Sequence, residues 1–198
     1  AEVKKNVLLI DLDLRKSVLP SRMHATDVDK GMSHFLSGQS GLSDVVMATN
    51  ISRLHVIFAG RYAPNPTELL SSSRFQSLIT YVRNLYDYII LDVPPLGMVV
   101  DAAIVAQQCD GAILVLESGA IKYRLAQETK EKIEEAGCPV LGAVLTKVDR
   151  RQQGRYYGKY YGKYYGHQEP EPEQVPVEGL LSQEEFELEI QQNLSEKE

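Results

Sequence analysis

Val7-Leu8-Leu9-Ile10-Asp11-Leu12-Asp13-Leu14-Arg15 is a short apolar run leading straight into two aspartates and an arginine. Tyr86-Asp87-Tyr88-Ile89-Ile90-Leu91-Asp92-Val93-Pro94-Pro95 repeats the arrangement with one aspartate after the apolar run. Both runs are too short for helices and lack polar alternation, so both read as parallel strands covered on both faces. The runs Leu54 to Phe58, Ala112 to Leu116 and Val140 to Leu145 have the same character. Helical patterns separate them. From Thr67 to Asn84, Leu69, Leu70, Leu78, Val82 and Leu85 fall near one face. From Ile121 to Ala136, Ile121, Leu125 and Ile133 share a stripe, Glu128 and Lys132 form an i,i+4 pair, and Gly137 stops the helix. Strands and helices alternating in this way imply a doubly wound α/β domain with a mainly parallel sheet, expected over residues 1–150. Ligands in such sheets bind at the carboxyl ends of strands, where Asp11, Asp13 and Asp92 fall.

Carboxylates at the ends of two parallel strands suit a hard cation such as Mg²⁺, which takes few protein carboxylates and keeps its waters and substrate phosphates. Asp11 and Asp13, two residues apart, project from the same side of an extended chain. An aspartate that ends a strand often only caps the next helix. Two such endings, each behind an apolar run, favour the site.

The formal net charge of −6 is unevenly spread: residues 167–198 carry −9 and residues 1–166 carry +3. The acidic segment holds Pro170, Pro172 and Pro176 and few apolar groups, so it cannot offset its ordering entropy and is expected to be a flexible tail. Between domain and tail, residues 151–166 hold Tyr156, Tyr157, Tyr160, Tyr161, Tyr164 and Tyr165 as pairs separated by Gly-Lys. Glycine every four residues costs about 1 kcal/mol per residue in a helix and strips one face of a strand, so the segment reads as a tether presenting phenols as phosphoacceptors. A low-complexity linker is the alternative. Cys109 and Cys138 lack metal or redox spacing and are expected to be buried small apolar groups. His24, His34, His55 and His167 show no ligand spacing. No apolar run reaches the ~18 residues of a membrane span, and neither a span nor a signal peptide is expected.

Ile10 to Arg15, IDLDLR, resembles the second Walker (A-prime) motif of the bacterial tyrosine kinases, and Tyr86 to Pro95 resembles their Walker B strand. Pro64 to Ser72, PNPTELLSS, and Gly41 to Val46, GLSDVV, are similar to family segments in the same order, and the tyrosine cluster resembles the family's autophosphorylation site. The resemblance covers residues 3 to about 166. It implies a P-loop NTPase fold of the MinD-like type and an ATP- and Mg²⁺-dependent protein-tyrosine autokinase controlling capsular or exopolysaccharide synthesis. Under it, Asp13 and Asp92 hold the metal, and Asp11 is the base toward the tyrosine hydroxyl, with Asp13 sharing the catalytic centre. Arg15, Thr146 and Lys147 are candidate nucleotide contacts, although Thr146 and Lys147 fit a plain strand-to-tail turn as well, and Arg15 could simply pair with Asp13. The implied partners are a membrane-anchored polysaccharide co-polymerase that activates the kinase, further copies of the chain phosphorylated in trans, and a cognate tyrosine phosphatase. Nucleic acid is not among them. The implied location is the cytoplasm, with recruitment to the inner face of the plasma membrane by the partner.

One departure bears on activity. The family's Gly-rich Walker A loop ends in Gly-Lys-Ser/Thr, whereas Gly-Lys occurs here only at Gly158-Lys159 and Gly162-Lys163, each followed by Tyr. The expectation is a chain truncated at its N-terminus. Two other readings stay open: a non-catalytic phosphoacceptor scaffold, and a ParA- or MinD-like ATPase switch. Residues 1–198 alone are expected to bind ATP·Mg²⁺ weakly and to show no self-phosphorylation. Calorimetry checks this, and tight Mg²⁺-dependent binding by this chain would overturn the truncation reading.

Overall fold

A computed structural model of the chain describes residues 4–25, 28–95 and 101–148. The tyrosine cluster and the acidic tail lie outside the described residues. Those that are described divide into two units, one ending at Gln108 and the other beginning at Cys109.

The first unit is built on a four-stranded sheet of order β2-β3-β1-β4, formed by β1 (Val7–Asp11), β2 (Val46–Ala48), β3 (Leu54–Ile57) and β4 (Tyr88–Asp92). β1 pairs in parallel with β3 on one side and β4 on the other. Flanked on both sides, β1 buries Val7, Leu8, Ile10 and Asp11, and β3 buries His55, Val56 and Ile57. Full coverage stops there. β4 pairs only with β1 among the described strands and leaves Tyr88, Ile90 and Asp92, which share one face, exposed. β2 is antiparallel to β3. At three residues it is too short to carry a periodicity, and the sequence reading placed only a resemblance there.

Among the described residues five helices belong to this unit: α1 (Leu19–Arg22), α2 (Met32–Leu36), α3 (Pro66–Leu70), α4 (Ser73–Val82) and α5 (Asp101–Ala106). The single helix expected from Thr67 to Asn84 is two, because Ser72 turns to extended backbone (ψ 152°) and caps α4 by accepting the Phe75 N–H on its hydroxyl. α4 buries Phe75, Leu78, Ile79 and Val82, of which the sequence pattern names Leu78 and Val82. His55 is structural, as its spacing implied: its ring meets Tyr86 edge-on, and the Tyr86 hydroxyl lies 2.9 Å from Nδ1.

The second unit pairs β5 (Ala112–Glu117) in parallel with β6 (Val140–Thr146), joined by α6 (Tyr123–Glu135). These strands are not covered on both faces either: Ile113, Val115, Leu141, Val144 and Leu145 are exposed. On α6, Glu128 pairs with Arg124 at 2.8 Å instead of with Lys132, and Lys130 pairs with Glu134. Both arrangements satisfy the same i,i+4 geometry. Cys138 is buried as expected, but Cys109 is only half-buried. Parallel pairing in three of the four strand pairs, with helical connections, is the mainly parallel α/β class read from the sequence.

α2 is fixed to the carboxyl end of β3 by backbone bonds, Met32 N–H to Phe58 O at 2.8 Å and Ser33 N–H to Ala59 O at 3.0 Å. Gly31 makes that approach possible, since a Cβ there would collide with the Phe58 carbonyl and the Gly60 backbone. Gly31→Ala is therefore expected to destabilise the unit by about 1–3 kcal/mol, the usual cost of overpacking. A lowered urea midpoint with an unchanged slope checks it; an unchanged midpoint would show that the contact is slack.

Candidate functional site

The β1–β4 register sets Asp11 directly opposite Asp92 at the carboxyl ends of adjacent parallel strands. Past this point Leu12 N–H still donates to Asp92 O at 2.8 Å, so the ladder holds the two strand ends together. The chain then leaves β1 toward β3 on one side, while β4 lies on the other. That divergence is the place where open α/β sheets form a ligand crevice.

Asp11 is 1% exposed, and both its oxygens are engaged. Oδ1 accepts the Asp13 N–H at 3.1 Å, and Oδ2 accepts the Ser17 hydroxyl. Asp13 is half-buried, and its Oδ1 accepts the N–H groups of Arg15 (3.2 Å) and Lys16 (3.0 Å). Each aspartate thus folds the next part of the loop about itself, as short acidic side chains do at turns. Neither aspartate caps a helix, since α1 begins at Leu19 after Val18 with no side-chain cap; the bonds lie within the loop itself.

Burial pushes the Asp11 carboxyl above the ordinary carboxylate range; the Ser17 and Asp13 hydrogen bonds oppose it, and the Asp92 charge adds to it. Asp92 is raised too, first by the protein crowded around it, then by the Asp13 charge, with Arg22 opposing. Asp92 retains solvent contact, so water screens much of that effect. Like charges held this close are costly without a cation between them. Among the described residues no three carboxylate, histidine or cysteine side chains converge as a metal cage. Asp13 and Asp92 are the carboxylates that could hold a cation, with Asp11 tied into the loop by its two hydrogen bonds. Such a pair fits Mg²⁺, which needs only one or two carboxylates.

Arg15 does not pair through its side chain with Asp13. Its Nε donates to Asp101 Oδ2 at 3.1 Å. Thr146 and Lys147 belong to the second unit, where Thr146 donates to Leu116 O at 3.2 Å and Lys147 pairs with Glu117 at 2.7 Å. Both side chains are engaged in strand-end bonds of their own unit. The sequence reading missed Ser17, Arg22, Thr67 and Asp101. Only Thr67 carried a signal, its place in the PNPTELL segment.

Comparison with known proteins adds the following. A family model described as an AAA domain matches residues 1–127. The tyrosine-protein kinase CpsD of Streptococcus agalactiae serotype III is 44% identical over 149 residues, 75% of this chain and 64% of that protein. The chain thus spans just under two-thirds of that relative's length. CapB of Staphylococcus aureus, named provisionally as a tyrosine-protein kinase, is 33% identical over 158 residues, 79% of this chain and 68% of that protein. The crystal structure of the VpsO kinase domain superposes with a TM-score of 0.70 at 34% identity, covering 74% of this chain and 72% of that one. MinD of Pyrococcus horikoshii, solved with Mg-ADP, has a TM-score of 0.59 at 22% identity, covering 76% of this chain and 62% of that one, and shows the fold alone.

An acid whose folded pKa is raised binds more protons folded than unfolded, so its burden on stability grows as pH rises through that pKa and is absent well below the ordinary value. Asp92→Asn removes the burden. Its urea midpoint is expected to exceed that of the parent chain at neutral pH and to match it near pH ~3, where both states are protonated. Equal midpoints at both pH values would contradict the raising of Asp92 by burial and by the Asp13 charge.

Proposed function

The chain belongs to the CpsD/CapB-type bacterial tyrosine kinases, with their AAA domain, and from that premise we propose that it acts in ATP-dependent protein-tyrosine autophosphorylation governing capsular or exopolysaccharide synthesis. The observation that carries the reading is the register of Asp11 against Asp92, with the Asp13 carboxylate acting on Asp92 from the next turn. When bound, ATP supplies the phosphoryl group and Mg²⁺ neutralises charge as it moves. Asp13 and Asp92 are proposed to hold the metal, directly or through water. Asp11 is proposed as the base: its raised pKa makes it the better proton acceptor, and an incoming tyrosine hydroxyl takes the place of Ser17 as donor to Oδ2. Little covalent work is asked of the protein in such a transfer, so positioning and charge carry most of the rate.

The proposed acceptors are Tyr156, Tyr157, Tyr160, Tyr161, Tyr164 and Tyr165. A segment presenting six acceptors suits transfer between copies of the chain. Among the described residues no helix is long and apolar enough to cross a membrane. By family likeness, a membrane-anchored partner is proposed to bring the protein to the inner face of the membrane, with a tyrosine phosphatase resetting it. A phosphoacceptor that a relative modifies is the second reading, carried by the six tyrosines between residues 156 and 165.

The full-length protein, incubated with ATP and Mg²⁺ and probed for phosphotyrosine, tests both. Asp92→Asn is expected to lower the signal by orders of magnitude with the fold intact. Single Tyr→Phe changes in the cluster should barely alter it, and changing all six should remove most of it. Wild-type activity in Asp92→Asn would reduce Asp92 to a strand cap. A parent protein that is inert alone but phosphorylated by an intact relative would establish the second reading.

A further inference from the structure

Arg15 comes from the loop after β1, Thr67 from α3 and Asp101 from the first turn of α5, yet the three side chains meet in one closed network. Asp101 is the hub. Its side chain is 2% exposed, and each oxygen has a donor: Oδ2 takes the Arg15 Nε–H at 3.1 Å, and Oδ1 takes the Thr67 hydroxyl at 2.6 Å. The Arg15 Nη2 closes the ring with a longer contact to Thr67 Oγ1, 3.4 Å. Meanwhile the backbone N–H of Arg15 is held by Asp13, so the residue is fixed at its backbone to the strand-end site and at its side chain to Asp101.

From this geometry we propose that Asp101 and Thr67 are positioning residues that hold the Arg15 guanidinium ready for a nucleotide phosphate. The proposal rests on the kinase reading above. A buried carboxylate needs a cationic partner, and its removal leaves a cost. A mere structural tie would satisfy that need by engaging the guanidinium fully. Here the grip falls on Nε, the stem side. The Arg15 side chain stays 38% exposed, and its outer N–H groups are not consumed by carboxylate. Those N–H groups form the fork that matches phosphate oxygens. An arginine fixed beforehand in this way loses less rotamer freedom when it binds. Against three aspartates the site has Arg22 acting on Asp92, and Arg15, held at its backbone by Asp13, adds a fixed cation of the kind that a polyphosphate requires. Thr67 sets the rotation of the Asp101 carboxyl, giving PNPTELL a role beyond starting a helix.

The test compares full-length wild type, Arg15→Ala, Asp101→Asn, Thr67→Val and Thr67→Ser, the last three each also combined with Arg15→Ala. It reads the ATP dissociation constant by calorimetry, kcat and KM for phosphotyrosine formation, and the melting temperature. Asp101→Asn is expected to weaken ATP binding and kcat/KM by about 10- to 100-fold, the usual scale for groups that orient a binding residue. In the Arg15→Ala background it should add less than about twofold, because it acts through Arg15. Thr67→Ser should retain binding and Thr67→Val should lose it, which a simple packing role would not distinguish. Full additivity of Asp101→Asn with Arg15→Ala, or Thr67→Val binding ATP like wild type while folded, overturns the clamp. Should Asp101→Asn fail to fold, the Thr67 pair decides alone. A folded wild type without phosphotyrosine activity overturns the kinase reading; one that also fails to bind ATP overturns the clamp's role with it.

Discussion

Parallel hydrogen bonding between β1 and β4 places Asp11 level with Asp92, and every other feature of the site depends on that ladder. Side chains in a strand alternate between faces, so a slip of one residue would send Asp11 and Asp92 to opposite sides and separate their charges. The register is guarded by the apolar residues behind it. Leu8 and Ile10 are fully buried, and any slip would carry them out of the core. Burial of such side chains is worth about 1.5–3 kcal/mol each, enough to hold a pair of like charges in place.

The loop after β1 converts that register into a site. Asp11 gathers the Asp13 N–H and the Ser17 hydroxyl, Asp13 gathers the N–H groups of Arg15 and Lys16, and Asp101 receives the Arg15 side chain from a distant helix. Polar groups buried here are therefore partnered, and none of the described buried side-chain polar atoms lacks a hydrogen bond. What stays uncompensated is charge. Asp11 and Asp92 both sit above their ordinary pKa, and shifts of this kind cluster where a cation or a substrate supplies the missing partner.

Much of this was legible in the chain. Val7 to Asp11 and Tyr88 to Asp92 announce buried strands ending in carboxylate because apolar run and charge lie side by side in sequence. The split of Thr67 to Asn84 was hidden because Ser71 and Ser72 do not interrupt the apolar stripe; only the Ser72 cap reveals the break. The partner of Arg15 was hidden for a different reason. Asp13 is two residues away and Asp101 is 86 away, and no local pattern weighs a contact that α5 creates by packing. The exposed faces of β4, β5 and β6 were also unreadable, since an apolar run states that a strand wants cover without stating what covers it.

The central claim is that Asp13 and Asp92 together hold a divalent cation beside a nucleotide. Its most direct measurement is anomalous diffraction from crystals of the full-length protein grown with Mn²⁺ and a non-hydrolysable ATP analogue. The account predicts one anomalous peak at the ends of β1 and β4, within direct or single-water reach of both carboxylates and in contact with the phosphates. Bound nucleotide with the metal away from Asp13 and Asp92 would contradict it.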